Sequence, residues 1–228
     1  MASAFNALVL NKVDDIITSS VERIGLEDLP EGDVVIAVDY STLNYKDGLI
    51  LNGLGGLVRR YPHVPGVDCS GVVESSDNSE LRPGDRVVLN GWRFGEAFWG
   101  GYAQKARVKS SQLIKLPDNI STQQAMAIGT AGYTAMLAIM ALEDHGLKTE
   151  FDGEVLITGA SGGVGSISIA ILAHLGYQVA ASTGRDQTVD YLKYLGASSI
   201  IHRQELEQPM KGPLSSERWV GAIDNVGG

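Results

Sequence analysis

A chain of 228 residues is long enough for one large domain or two small ones. Its 44% hydrophobic and 20% charged residues are an ordinary globular mix, able to bury a substantial core. A net charge of −9 repels a polyanion such as DNA, so no nucleic-acid partner is expected. The one cysteine, Cys69, can build neither an internal disulfide framework nor a multi-cysteine zinc site.

The start, Met1 to Leu10, has no basic stretch ahead of a long apolar run, so no secretory leader is expected. Residues 1–120 read as β-rich. The turn Pro30-Glu31-Gly32-Asp33 leads into an apolar strand, Val34 to Val38. Ser70 to Glu74 is a second strand. Pro83-Gly84-Asp85 is a turn that delivers a third, Arg86 to Leu89. Gly100-Gly101 precedes a fourth, Tyr102 to Val108. Short strands separated by turns suggest a compact β-barrel or sandwich.

The texture changes at Pro117. Ser121 with Gln124 forms a capping-box pattern ahead of a long apolar helix. The apolar stretches Ala125 to Leu142 and Val164 to Leu175 are interrupted by Gly, Thr, Tyr, Ser or His, and read as buried helices rather than membrane spans. A soluble cytoplasmic protein with no membrane partner is expected. From Gly153 the pattern is strand, Gly-rich turn, helix, strand, helix, strand. Val155 to Thr158, Gln178 to Ala181, Ser199 to Ile201 and Val220 to Asp224 are the strands. Val164 to Leu175 and Gln187 to Leu195 are the helices, closed by Gly176 and Gly196. Alternating β and α with apolar strands predicts a parallel sheet over residues 121–228 and an α/β class for that half. The sequence stops at Gly227-Gly228, directly after the fourth strand. A doubly wound sheet usually runs to about six, so the expectation is a sheet cut short at its C-terminus.

The run Gly159-Ala160-Ser161-Gly162-Gly163-Val164-Gly165 follows an apolar strand and opens an apolar helix, as a phosphate-binding turn must. Gly162 and Gly163 would let the backbone approach a pyrophosphate, with Ser161 and Val164 beside them, and Gly165 would let helix and strand pack closely. Ala160 stands at the first glycine position. The pyrophosphate would sit on the free N–H groups and positive end of the helix dipole. A tight turn with no ligand is the competing reading. No Gly-Lys-Ser/Thr follows, which excludes a P-loop. The second strand runs into Ser182-Thr183-Gly184-Arg185 with no acid at its tip. An acid there would hold the ribose 2′-OH of NAD; Thr183 and Arg185 suit the 2′-phosphate of NADPH. Arg203, past the third strand, is a second candidate for the adenine side.

Together, Leu43-Asn44-Tyr45-Lys46-Asp47, Pro65-Gly66-Val67-Asp68, Gly129-Thr130-Ala131-Gly132-Tyr133-Thr134-Ala135 and the Gly-rich turn resemble the medium-chain dehydrogenase/reductase superfamily. The Leu-Asn-Tyr-Lys-Asp run, Gly91-Trp92 and Ile223-Asp224-Asn225-Val226-Gly227-Gly228 are similar to its branch of acrylyl-CoA reductases and quinone oxidoreductases. The resemblance covers essentially the whole chain. It implies a GroES-like catalytic domain over 1–120, a Rossmann NADP-binding domain over 121–228, an active site in the cleft between them, and a homodimeric parent protein. It also implies a zinc-independent member. Where zinc relatives carry Gly-His-Glu this chain has Gly66-Val67-Asp68, the early Cys position falls at Asn44–Tyr45, and catalytic zinc needs three protein ligands. His63, His145, His174 and His202 are read as solvated or capping, and Cys69 as a buried small hydrophobe.

By the same resemblance, Tyr45 lies near the nicotinamide with Asn44 beside the substrate, where both could steady an enolate oxygen. Thr130 would face the nicotinamide and Asn225 would approach the ribose through its backbone. Lys46 and Asp47 are read as pairing or capping a helix. Of Trp92, Phe98 and Trp99, at least two are read as core. The expected activity is NADPH-dependent reduction of an activated C=C bond, in an enoyl thioester such as acrylyl-CoA. Reduction of a quinone, or an NADPH-binding sensor without catalysis, are the alternatives. Arg59-Arg60 reads as an exposed turn, with a CoA phosphate as its second reading.

Overall fold

The computed structural model describes residues 4–207 and 217–227. The chain divides into two compact units, Met1–Thr130 and Ala131–Gly228.

In the first unit, β1 (Phe5–Val13) and β2 (Ile16–Ile24) form an antiparallel hairpin. Phe5, Ala7 and Val9 alternate inward, as one buried face requires. Asp14 and Asp15 close the hairpin with φ of 48° and 65°. The left-handed pair matches the twist of the flanking strands. Next come β3 (Val34–Tyr40), α1 (Tyr45–Leu51), β4 (Asp68–Ser76), β5 (Arg86–Asn90), β6 (Lys105–Val108) and β7 (Ile114–Lys115). These strands make a five-stranded antiparallel sheet in the order β6-β3-β4-β5-β7. Val34, Ile36, Cys69, Val73, Val87 and Leu89 supply its core. Each such buried aliphatic side chain contributes about 1.5–3 kcal/mol.

The strand expected over Tyr102 to Val108 begins only at Lys105. The preceding residues bond the hairpin instead: Leu8 N–H donates to the Tyr102 carbonyl at 2.8 Å and Gln104 N–H to that of Asn6 at 2.9 Å.

The long apolar helix α2 (Thr122–Asp144) starts at the capping box read from the sequence. Ser121 N–H donates to Gln124 Oε1 at 2.9 Å, and Gln124 N–H donates to Ser121 Oγ at 3.1 Å. By length and composition α2 could cross a membrane. Gly129 interrupts it with φ 55° and ψ −164°. A break of that kind frees backbone groups that hydrocarbon cannot satisfy. Here Thr130 N–H donates to Asp68 at 3.0 Å. The unit boundary therefore falls at 130/131, inside α2 and past the 120 expected from composition.

The second unit contains the rest of α2, then β8 (Glu154–Ile157), α3 (Gly163–Leu175), β9 (Gln178–Thr183), α4 (Val189–Tyr194), β10 (Ser199–His202), α5 (Arg203–Leu206) and β11 (Trp219–Ile223). Its sheet is parallel, in the order β10-β9-β8-β11. Chain order thus reverses between β8 and β11, the switch point where open α/β sheets bind ligands beyond their strand C-termini. Val155, Ile157, Ile169, Leu172, Val179 and Leu192 form the core. The helix expected over Gln187 to Leu195 is a short 3-10 turn, Asp186–Thr188, followed by α4.

Candidate functional site

The Gly-rich turn joins β8 to α3 beside that switch point. Gly159 takes the left-handed conformation, φ 56°, so the sharp reversal belongs to it and not to Ala160. Ala160 is fully buried in the core, and its N–H donates to the Ser182 carbonyl at 3.1 Å. A Cβ on Gly165 would stand 2.5 Å from the Gly159 carbonyl oxygen, so only glycine allows this helix–strand approach. Gly162 opens α3 with no side chain capping it, and Gly162 and Gly163 are exposed while Ser161 and Val164 are half-buried. Exposed backbone, a positive helix end and a cradle that a Cβ would fill suit a pyrophosphate.

The tip of β9 carries the next group. Gly184 lacks a side chain where one would stand 2.7 Å from Arg203 Nε, so the Arg203 stem lies across it. Arg185 is the next residue, and both arginines are exposed. Neither takes part in an ion pair among the described residues. Two candidates from separate strands are thus brought together at neighbouring strand ends. Thr183 is different. It is buried, and its hydroxyl accepts the Arg185 N–H at 3.1 Å and meets the Thr188 hydroxyl at 3.1 Å. Its hydroxyl thus shapes the Arg185 loop, beside the place where the sequence reading sets a 2′-phosphate.

Past β11, Thr158 ties the switch point together. Its hydroxyl donates to Asp224, and it accepts Asn225 N–H at 2.8 Å. The Asn225 amide donates to the Thr158 carbonyl at 2.9 Å. The Thr158 hydroxyl, with Val226 and Gly227 N–H, holds the Asp224 carboxyl below the usual carboxylate range. Asn225 is therefore beside the Gly-rich turn; its backbone N–H is spent on Thr158, which leaves the carbonyl as its free backbone group. Gly228 lies outside the described residues.

The first unit holds a cluster that sequence reasoning passed over. Asp68, at the head of β4, is fully buried. Its carboxylate accepts Thr42 N–H at 3.0 Å, the Thr42 hydroxyl at 2.6 Å, the Asn44 amide at 3.3 Å, Thr130 N–H at 3.0 Å and the Thr130 hydroxyl at 2.7 Å. Asn90, its partner across β5, donates to the Thr130 hydroxyl at 3.3 Å. A buried carboxylate is tolerable only when surrounded by donors in this way. The signal was an aspartate inside the apolar run Val67-Asp68-Cys69, where a charge must find partners.

That cluster sorts the expected catalytic pair. The Asn44 amide spends both N–H groups, on Thr42 Oγ1 at 2.9 Å and on Asp68. In this arrangement the amide is committed to Thr42 and Asp68, whereas the sequence reading sets it beside the substrate. Thr130 likewise directs its N–H and hydroxyl to Asp68. Tyr45 is the opposite case. It opens α1 at 84% exposure, beside Leu43 at 88%. The structure thus gathers Asn44 and Thr130 around Asp68 and leaves Tyr45 outside the cluster.

The neighbours behave as supports. Lys46 pairs with Glu96 at 2.8 Å. Asp47 accepts Asn44 N–H at 2.9 Å and Val67 N–H at 3.1 Å, and burial pushes its carboxyl up. Val67 packs with Leu10 and Ile50. Cys69 is fully buried, and burial raises its thiol strongly. His63 departs from the solvated reading: it is buried, with Nε2 2.7 Å from the Gly95 carbonyl. Trp92 and Phe98 are 59% and 54% exposed, so they are not core; Trp99 is half-buried, its indole donating to the Pro62 carbonyl at 3.1 Å.

Comparison with known proteins identifies the family. Residues 30–118 match the alcohol dehydrogenase GroES-like domain. Acrylyl-CoA reductase AcuI of Ruegeria pomeroyi is 58% identical over 98% of this chain and 68% of its own length. The yhdH oxidoreductase of Salmonella enterica, solved in complex with NADP, is 48% identical with a TM-score of 0.93, covering 98% of this chain and 68% of that one. Bacillus subtilis protein yhfP, solved with NAD bound, is 43% identical with a TM-score of 0.94, covering 99% and 68%. The chain thus spans about two thirds of the length of these relatives. It belongs to the medium-chain dehydrogenase/reductase superfamily, in the acrylyl-CoA reductase branch.

Proposed function

We propose that the protein reduces the activated C=C bond of an enoyl thioester of the acrylyl-CoA type, using NADPH. The observation that carries this reading is the uncapped Gly-rich turn, with Arg185 and Arg203 at adjacent strand ends, in a chain 58% identical to an acrylyl-CoA reductase. The α3 N-terminus would hold the pyrophosphate through backbone N–H groups at Gly163 and Val164, with Gly162, whose own N–H closes the turn onto the Gly159 carbonyl at 2.9 Å, leaving room beside them. Arg185 and Arg203 would pair with the 2′-phosphate, where a planar guanidinium fork fits best. Bound there, NADPH supplies a hydride for the β-carbon of the alkene.

The chain's own residues then have distinct tasks. Tyr45 presents an exposed phenol that can donate to the thioester oxygen as enolate charge develops. Asp68 fixes Thr42, Asn44 and Thr130, so the segment leading into Tyr45 is held in place. Asn44 and Thr130 are positioning residues in this account. The cytoplasm supplies NADPH and suits a chain whose one cysteine is a free buried thiol.

The test is steady-state loss of reduced-nicotinamide absorbance with acrylyl-CoA, run beside a benzoquinone and beside NADH. Turnover of acrylyl-CoA with a preference for NADPH is the expected result. Turnover of the quinone alone would replace this reading with quinone reduction. Tight NADPH binding without turnover of either would point to a sensor.

A further inference from the structure

We propose that a groove on the first unit, formed by Arg59, Arg60 and Arg93, binds the phosphates of the coenzyme A half of the substrate. The inference rests on the thioester reading above and assigns the subsite that reading leaves open. The groove encloses about 300 Å³ and is walled by Leu57, Arg59, Arg60, Arg93, Glu96 and Phe98. That volume lies at the lower end of the range for ligand pockets.

The turn that carries Arg93 is built for the purpose. Gly91, Trp92 and Arg93 take φ of 80°, 56° and 58° in succession. Non-glycine residues adopt the left-handed region only where surrounding structure enforces it. Here Glu96, Ala97 and Phe98 N–H all converge on the Arg93 carbonyl, at 3.1, 3.0 and 3.2 Å. The convergence fixes the backbone and sets Arg93 against Arg59 and Arg60, which follow the α1 segment.

Charge points to the ligand. The chain carries −9 overall, yet this groove collects three guanidiniums. Its one carboxylate, Glu96, is already paired with Lys46 at 2.8 Å. None of the three arginines joins an ion pair among the described residues. Three arginines facing one carboxylate that is already paired leave excess positive charge, and a polyphosphate relieves the repulsion among them. Phe98, 54% exposed at the rim, offers a face on which an adenine can stack. The groove is also tied to the reaction end. The Lys46–Glu96 pair joins its wall to the residue directly after Tyr45. The proposed function assigns the NADPH phosphates to other residues, at the start of α3.

The experiment compares acrylyl-CoA with the acrylyl thioester of N-acetylcysteamine, which has the same acyl group and no phosphates. The variant is the triple Arg59→Ala, Arg60→Ala, Arg93→Asn; asparagine tolerates the left-handed backbone at 93. Its thermal unfolding midpoint is checked against the parent chain. The expected result is a KM for acrylyl-CoA raised about tenfold or more, kcat within about twofold, and an unchanged KM for the N-acetylcysteamine thioester. Equal changes for both thioesters, or none for either, would overturn the groove. If neither thioester is reduced, the thioester reading fails by itself. Equilibrium binding of free coenzyme A and of 3′-dephospho-coenzyme A then decides the groove. Binding that depends on the arginines and on the 3′-phosphate upholds it; binding that ignores them, or none, rejects it.

Discussion

Asp68 holds Thr130 at a single oxygen: Oδ2 accepts both the Thr130 N–H, at 3.0 Å, and its hydroxyl, at 2.7 Å. The residues are 62 apart in sequence, and the contact falls where Gly129 interrupts α2. It anchors the end of the first unit on the strand that also organises the Asn44 segment.

Removing that anchor leaves several half-buried donors without an acceptor. Asp68→Ala should destabilise the fold by about 3–5 kcal/mol, whereas Thr130→Val, which loses one hydroxyl, should cost about 1 kcal/mol. Urea unfolding followed by tryptophan fluorescence measures both. Equal losses would show that the cluster is not centred on Asp68.

Gly165→Ala tests the phosphate turn. The new Cβ would stand 2.5 Å from the Gly159 carbonyl oxygen, so turn and helix must separate. The strain should cost about 1–3 kcal/mol of stability and weaken NADPH binding with it. Gly162→Ala meets the same oxygen at 3.2 Å and should be milder in stability. Differential scanning fluorimetry with and without NADPH separates the two effects.

Arg185→Ala should weaken NADPH binding roughly 10–100-fold while changing NADH affinity less than about twofold, because it removes charge-assisted bonds to the 2′-phosphate alone. Arg203→Ala should act in the same direction. Titration of both cofactors by nicotinamide fluorescence checks this. An unchanged ratio of the two affinities would contradict the assignment of the strand tips. The NAD-bound yhfP relative makes the ratio, rather than either affinity, the informative quantity.

His63 gives a pH signature. A carbonyl can only accept, so Nε2 carries the proton donated to Gly95. Burial holds the imidazole below its ordinary value of 6.5, outweighing the Gly95 bond. The native state therefore binds fewer protons than the unfolded chain below pH 6.5, and stability falls as pH drops beneath it. His63→Gln keeps an N–H donor without the titration. The parent's urea midpoint should fall more between pH 7.5 and pH 5 than the variant's; equal falls would rule His63 out as the source.

The same contrast between local and distant contacts explains what the sequence disclosed. The Gly-rich turn, the Ser121–Gln124 cap and the β9 tip are local patterns, and each was legible because a few adjacent residues set the geometry. Arg203 was legible only as a basic residue past a strand; its packing over Gly184 comes from sheet order. The Asp68 cluster joins residues 26 and 62 positions away, so periodicity could not reveal it. The first hairpin lacked the usual Asn-Gly signal because Asp14 and Asp15 take the left-handed turn instead. At least two of Trp92, Phe98 and Trp99 are expected inward by residue type, whereas the left-handed turn at Gly91–Arg93 accompanies an exposed Trp92 and Phe98.

On the proposed function, the exposed phenol of Tyr45 would be the donor at the reacting end. Tyr45→Phe should lower kcat for acrylyl-CoA about 10–100-fold with NADPH affinity unchanged. Equal kcat in the two proteins would remove the tyrosine from the chemistry.

The most direct test of the central claim follows the hydrogen itself. The protein would be incubated with acrylyl-CoA and NADPH deuterated at the transferring position of the nicotinamide, and the product analysed by NMR. The expected product is propionyl-CoA with the deuterium on the β-carbon and a solvent-derived proton on the α-carbon. Deuterium at the α-carbon, or none in the thioester while NADPH is consumed, would contradict it.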